Sequence, residues 1–414
     1  SSAASDVYKR QPHTAKNLET YRYRMLEAAK ANAAKNGYQG AQYPWESADD
    51  GTEQCPDWTI EPDGTCYRCY VAVYEHHVTA AVAYGIYNYV RITHDTEFLL
   101  HKGAEILIET ARFWKSRLQY IKENDRYEIH RVTGPDEWHE PVDNNVYTNY
   151  LARWNLRYVT ALTEMLSREY PQEYTALVEK LGLTEEEIAD WDAVAAKVYL
   201  PRKEGTQLLE QFEGYFDLKE AVIEKYDSND WPIRPEILNT TKKCETQIIK
   251  QADVVMLLHL MGQEFDEETT KLNYSYYEKR TLHGSSLSPS IYSIMGLKVG
   301  DDSKAYRYLR RAALIDLVNL QGNTREGIHA ANAGGVWQVV VFGFAGVSLD
   351  EEGMLCICPH MPPEWNGLTF RIHHLDSWLE ITVHADNSVE VKVLEGGSVE
   401  IRIQGEKVTV RREI

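Results

Sequence analysis

The chain has 414 residues, of which 43% are hydrophobic and 26% charged, so it can bury a large core and probes the size range of more than one domain. Its net charge of −19 argues against nucleic-acid or anionic-membrane partners, which require a basic footprint. No apolar run approaches the roughly 20 residues a membrane helix needs.

Residues 1–11 carry no charged-then-apolar signal pattern and read as a translated adapter scar, so the native sequence is expected to begin upstream. From about Asn17 to Val347 the pattern is mostly helical. The segments 21–35, 76–94 and 101–121 place apolar residues at three- and four-residue steps. Further helices are predicted at about 147–170, 173–181, 184–199, 245–263, 288–298, 302–320 and 333–344. Helix pairs joined by loops rich in Gly, Pro and Asp suggest an α/α toroid or bundle. After Leu349 short alternating segments separated by turn pairs predict a hairpin meander, packed as a small sheet on the helical body. The six cysteines form no dense framework, which favours a reducing compartment. Cys66 and Cys69 have zinc-ligand spacing, with Cys55 and His76 nearby, but a second close pair is missing and no metal is expected.

The most informative stretch is Val132 to Asn145. It sets Asp136, Glu137, His139, Glu140 and Asp143 among turn residues, and Gly134-Pro135 ends regular structure there. Glu137 is therefore expected on a short connection at a helix end, where catalytic groups are often held. Apolar surroundings such as the neighbouring Trp138 favour the protonated form that a proton donor needs. A helix-capping loop with solvated acids fits the same residues.

Three further clusters lie in turns. At Tyr43 to Ala48, Trp45 can stack on a sugar ring while Glu46 accepts from hydroxyls; a plain surface turn is the alternative. Lys250-Gln251, placed inside a predicted helix from Glu245 to Gly262, can point into a pocket or can be a solvated helix end. Gly284, Ser285 and Ser286, together with His329 in the run Gly327 to Gly335, offer backbone N–H groups, hydroxyls and an imidazole that can hold an oxyanion. Ordinary capping by Ser285 or Ser286 is the alternative. There is no P-loop. With 27 Tyr and 10 Trp, the chain is well supplied with flat rings that suit sugars but that also fill helical cores.

Taken in order, Tyr43–Ser47, Glu109–Trp114, Gly134–Asn149, Lys250–Val254, His283–Ser288 and Gly327–Gly335 resemble glycoside hydrolase family 65, which contains the inverting phosphorylases of maltose, trehalose and kojibiose. The resemblance runs from about Tyr21 to the C-terminus. It implies an (α/α)6 barrel, here incomplete, over residues 12–349, and a small C-terminal antiparallel β-sheet domain over 350–414. It also implies that Glu137 is the general acid. Trp45, Glu46, Lys250 and Gln251 would hold the glucosyl ring, and Ser285, Ser286 and His329 the phosphate. The partners would be an α-glucosyl disaccharide and inorganic phosphate as co-substrate, with no cofactor, in the cytoplasm; a homodimer is frequent in the family.

An inverting hydrolase needs a second carboxylate, some 6.5–9.5 Å from the acid, to activate water. Phosphate is already anionic and needs donors, which Ser285, Ser286 and His329 supply with no carboxylate among them. Glu326 is the residue that would favour a hydrolase instead. Two departures stand out. The family's sugar-binding Phe-Trp-Asp-Thr-Glu motif would fall where the adapter-like residues lie, so a truncated, catalytically incompetent fragment is the alternative of another class. Trp138 stands where Tyr is usual, and Asp136 where the maltose enzymes frequently have Asn.

Overall fold

The computed structural model describes residues 12–60, 64, 66–228, 231–350 and 352–412, without the side chains of Thr59 and Tyr67. The adapter-like residues 1–11 lie outside the described residues. The chain divides into two compact units. The first comprises Lys16–Val90 and Asp95–Lys219; the second comprises Ser1–Ala15, Arg91–His94 and Glu220–Ile414.

The long helices are α1 (Pro12–Arg24), α2 (Leu26–Lys35), α3 (His77–Thr93), α4 (Ala104–Arg117), α5 (Val146–Glu169), α6 (Pro171–Leu181) and α7 (Glu185–Ala195). Two hairpins, β1 (Trp58–Ile60) with β2 (Cys66–Arg68) and β3 (Gln119–Ile121) with β4 (Arg126–Glu128), sit between them. The core of the first unit is built on α4, where Ile106, Leu107, Ile108, Ala111, Phe113 and Trp114 are fully buried. Two helix starts follow capping chemistry. The Asn145 side chain accepts from Thr148 N–H at α5, and Thr184 accepts from Glu187 N–H at α7. Gly40 takes φ +67, and a Cβ there would lie 2.1 Å from the Glu109 carbonyl, so glycine permits the close approach of this loop to α4.

The second unit carries α8 (Val254–Leu260), α9 (Glu267–Glu278), α10 (Ser288–Lys298), α11 (Asp302–Leu314) and α12 (Ala330–Gln338), which passes into a π-helical turn, Val339–Phe344. Strands β5 (Val347–Leu349), β6 (Leu355–Ile357), β7 (Gly367–His374), β8 (Ser377–His384), β9 (Val389–Glu395), β10 (Val399–Ile403) and β11 (Glu406–Val410) follow. The mainly helical reading and the C-terminal sheets are both observed. The single meander is corrected. Only β7-β8-β9 is a meander, and β11-β10-β6-β5 forms a separate sheet in which β6 and β10 run parallel. Burial drives this. Ile372, Leu379, Ile381 and Val383 of one sheet and Val347, Leu355, Ile357 and Ile401 of the other share one core, which two stacked layers can close and one open meander cannot. Val341 of the π-helical turn and Ala345 just after it enter the same core, so these sheets do pack on helical sequence.

Two other helical expectations change. Helix α9 was not foreseen. The helix expected over 245–263 is only α8, starting at Val254. Before it, Ile249 bridges Thr281 in parallel, with Ile249 N–H donating to the Arg280 carbonyl at 2.9 Å and Leu282 N–H to the Ile249 carbonyl at 3.0 Å. Backbone committed to that pairing cannot also enter a helix. Among the described residues no helix is long and apolar enough to cross a membrane, and no group of three or more His, Cys, Asp or Glu could hold a metal ion. Cys66 is exposed, while the thiols of Cys55 and Cys69 lie 3.6 Å apart.

Candidate active site

Glu137 sits half-buried in the turn between β4 and α5. The loop that bears it is closed at its base by a two-way bridge: Val132 N–H donates to Val142 at 2.8 Å and Val142 N–H to Val132 at 2.9 Å. Inside, Asp136 is 1% exposed and acts as a hub. Its Oδ2 lies 2.6 Å from His139 Nδ1 and accepts from Gln211 Nε2 at 3.0 Å, while its Oδ1 accepts weakly from Trp138 N–H at 3.4 Å. The His139 ring is wedged against Phe212 and Tyr215, with centroids 5.2 and 6.2 Å away. The residues immediately before and two after Glu137 are therefore locked to buried structure, which fixes the backbone that carries the intervening carboxyl.

The two asparagines that follow complete the mounting. Asn144 takes φ 55, a conformation asparagine tolerates better than most residues. Its Oδ1 accepts from Ile129 N–H at 3.1 Å, and its Nδ2 donates to Glu213 at 2.7 Å and to Glu128 at 3.2 Å. Asn145 donates to the Gln211 carbonyl at 3.1 Å while capping α5. Thus the loop before α5 and the segment 211–213 are stitched together by side-chain amides.

Trp45 and Glu46 belong to the same unit. Glu53 pins their turn: its carboxylate accepts from the N–H groups of Trp45 (2.6 Å), Glu46 (2.9 Å) and Cys55 (3.0 Å). Trp45 is half-buried and Glu46 exposed. The buried His77 joins this turn to the acid loop. Its ring meets Trp45 edge-on at 6.1 Å and Tyr147 at 5.4 Å, and it hydrogen-bonds the Thr133 backbone. Burial pushes the His77 imidazole down to about 4, so it is neutral at pH 7. Sequence reading brought forward the motif residues but missed Glu53, His77 and Gln211. Their separations along the chain carry no pattern that marks them.

The remaining candidates lie in the second unit. Lys250 and Gln251 are in a bend before α8, not inside a helix, and this corrects the sequence expectation. The Lys250 carbonyl accepts from Gly284 N–H at 2.8 Å, which binds this motif directly to the one at His283–Ser288. Ser285 and Ser286 are half-buried, and neither caps α10. That position is Leu287, with no side-chain cap bond. Ser285 Oγ instead accepts from Leu287 N–H at 3.3 Å. His283 at φ 52 anchors the turn, with Nδ1 2.9 Å from Ser288 Oγ and Nε2 3.2 Å from the Tyr308 hydroxyl.

His329 stands at the start of α12. Its backbone N–H donates to Asp316 Oδ2 at 2.8 Å and its Nδ1 lies 2.6 Å from Asp316 Oδ1. These two hydrogen bonds, the side-chain one foremost, hold the Asp316 carboxyl below its usual range. With Nδ1 engaged by a carboxylate, Nε2 is the ring nitrogen left to meet a ligand. Asp316, expected within a helix over 302–320, instead lies just beyond α11 and sets a carboxylate beside His329. A Cβ at Gly335 would lie 2.6 Å from Ser290 Oγ, so glycine lets α12 pack closely on α10 and sets His329 and the serine turn on neighbouring helices. Glu326 is in a short 3-10 turn, its side chain 67% exposed and 4.0 Å from Arg325.

A half-buried carboxyl on a loop held by buried hydrogen bonds, with His77 linking the base of that loop to the Trp45 turn, is the arrangement the first unit presents. The chain matches the glycosyl hydrolase family 65 central catalytic domain over residues 6–338 and the family 65 C-terminal domain over residues 350–410, and it belongs to that family. It is 52% identical over 400 residues to the kojibiose phosphorylase of Thermoanaerobacter brockii, covering 96% of this chain and 52% of the relative. It is 36% identical over 405 residues to the α,α-trehalose phosphorylase of the same organism, covering 97% of this chain and 50% of that protein. The chain therefore spans about half the length of these curated relatives. A solved structure of a human-microbiome protein, provisionally named a kojibiose phosphorylase, superposes with a TM-score of 0.86 at 29% identity, covering 99% of this chain and 57% of that one.

Proposed function

We propose that the chain serves inverting phosphorolysis of an α-glucosyl disaccharide, yielding β-glucose 1-phosphate and the released sugar. Glu137 gives its proton to the departing glycosidic oxygen as the C1–O bond breaks. A phosphate oxygen forms the new bond to C1 from the opposite face, which inverts the centre. The observation that carries this reading is the mounting of Glu137: a half-buried carboxyl between Asp136 and His139, both fixed in buried structure. A general acid must meet one oxygen at one angle, and such a loop meets that need.

In this reading Trp45 and Glu46, with Lys250 and Gln251, take the glucosyl ring, and Ser285, Ser286 and His329 take the phosphate dianion. No cofactor takes part. Three features favour phosphate over water as the nucleophile. Asp316 fixes the orientation of the His329 ring through two hydrogen bonds, and Nε2 donates to a phosphate oxygen when the ring carries both protons. Both oxygens of Asp316 are already engaged, which leaves it poorly disposed to take a proton from water. Glu326 is largely solvent-exposed. The 52% identity to a protein named kojibiose phosphorylase makes kojibiose the first substrate to test.

The test incubates the protein with kojibiose, trehalose, maltose and nigerose, with and without phosphate, and looks for β-glucose 1-phosphate. It uses this chain and, where its reading frame continues upstream, the chain joined to that sequence. Product formed only with phosphate supports the phosphorylase and names the linkage. Free glucose at the same rate without phosphate overturns it in favour of an inverting α-glucosidase.

A further inference from the structure

The second unit encloses a cavity of about 510 Å³ to which the reaction above gives no role. Among the described residues its walls include Lys304, Arg307, Arg310 and Arg311 against one lining carboxylate, Glu278, with Asp227 acting on Arg311 from outside the lining. In a chain with 63 acidic and 44 basic residues, four cations around one hollow run against the overall balance. Lys304, Arg307 and Arg311 recur at three- and four-residue steps on α11, so they share one helix face where like charges repel. An anion seated among them removes that repulsion.

Two of these cations show how they are held. Lys304 Nζ lies 2.8 Å from Glu278 Oε2, and Glu278 Oε1 accepts from the Tyr308 hydroxyl at 2.8 Å, so the one carboxylate of the wall is already used. Arg311 lies over the Trp231 ring, 4.1 Å from its centroid. Its Nε is buried, and among the described residues it has no hydrogen-bond partner. Buried donors in native structures nearly always find an acceptor, and the residue that carries this one lines the cationic hollow. Arginine's planar fork suits phosphate oxygens, and Trp231 with Leu314 gives the same cavity an apolar side.

We propose that this cavity binds a small organic phosphate, its anionic group taken by Arg307, Arg310 and Arg311 and its body lying against Trp231 and Leu314. The site is separate from the serine turn but wired to it. The Tyr308 hydroxyl that donates to Glu278 is the same hydroxyl that lies 3.2 Å from His283 Nε2.

The test is calorimetric titration of the protein with ATP and with glucose 6-phosphate, which distinguish a nucleotide from a sugar phosphate. At least one probe is expected to bind, more weakly as salt rises. Its Kd should rise about tenfold or more in Arg307→Gln/Arg311→Gln and a few-fold in Arg310→Gln, which alters an exposed side chain and spares the fold. Binding should persist in Ser285→Ala/Ser286→Ala/His329→Ala, so failure of the phosphate-site reading and failure of this one are told apart. No heat with either probe at millimolar concentration overturns the proposal. So does affinity lost in the triple variant, or affinity unchanged in Arg310→Gln.

Discussion

The acid loop and the serine turn are held in different ways. Around Glu137 the fixing bonds run through buried side chains: Asp136 to His139 and Gln211, Asn144 to Glu128 and Glu213, and Asn145 to Gln211. Around Ser285 and Ser286 backbone bonds share the fixing, Gly284 N–H to the Lys250 carbonyl and Leu282 N–H to the Ile249 carbonyl beside the His283 ring on Ser288 and Tyr308, and both serines stay half-exposed. The difference matches two chemical demands. A proton donor must be aimed at one lone pair, so its support must fix direction. An anion with several equivalent oxygens accepts donors from several sides, so its support need only fix position.

The strongest way to break that comparison is Glu137→Gln. Turnover is expected to fall at least about 10²-fold, the low end for loss of a general acid, with little change in melting temperature. Near-normal turnover would remove Glu137 from its role. Next, His329→Ala is expected to raise KM for phosphate by roughly 10- to 100-fold, the range for a lost bond to a charged group, with KM for the disaccharide nearly unchanged. A loss confined to the disaccharide KM would instead assign His329 to the sugar. Asp316→Asn keeps the shape but weakens the orienting bond, and about a tenfold rise in KM for phosphate is expected. If positional tolerance is real, Ser285→Ala should cost less than either, a few-fold in KM for phosphate, because the donors there are several.

Acid sensitivity sharpens the comparison last, since each side rests on buried imidazoles. Burial pushes His76 down to about 3 and His77 to about 4 in the first unit, and His259 to about 4 and His283 to about 3 in the second. Unfolded imidazoles take a proton near pH 6.5, so below that pH the unfolded chain binds more protons than the folded one and stability falls. Glu19, raised by burial to about 7, acts in the opposite sense, losing stability as pH rises from 4.5 toward 7. Four histidines outweigh one glutamate, and the melting temperature is expected to drop by roughly 5 °C or more from pH 7 to pH 5. Scanning calorimetry checks this, and His77→Asn should flatten the slope.

Much of the helical plan was legible because amphipathic periodicity is local. Helices α5, α6, α10 and α11 start within two residues of their expected positions. The strands β7 to β11 were legible from alternation, but not their grouping into two sheets, because pairing partners are chosen by a shared core. The Lys250 segment was misread since its apolar spacing is helix-like. Its backbone is instead claimed by residues some thirty positions away, which periodicity cannot register.

By itself the sequence determined the chemistry available: a carboxyl among turn residues, a Trp-Glu turn, a Gly-Ser-Ser turn and a histidine before small residues. Those depend on residue type and near-neighbour spacing, which the chain states outright. Tertiary structure alone decided what supports each group. Asp316 under His329, Gln211 and His139 around Asp136, and Glu53 beneath Trp45 are partners made by folding. So is the Trp231 ring laid against Arg311. Each is a short-range bond or charge contact between residues distant or unpatterned in sequence, and such contacts exist only once burial has fixed the backbone that carries them.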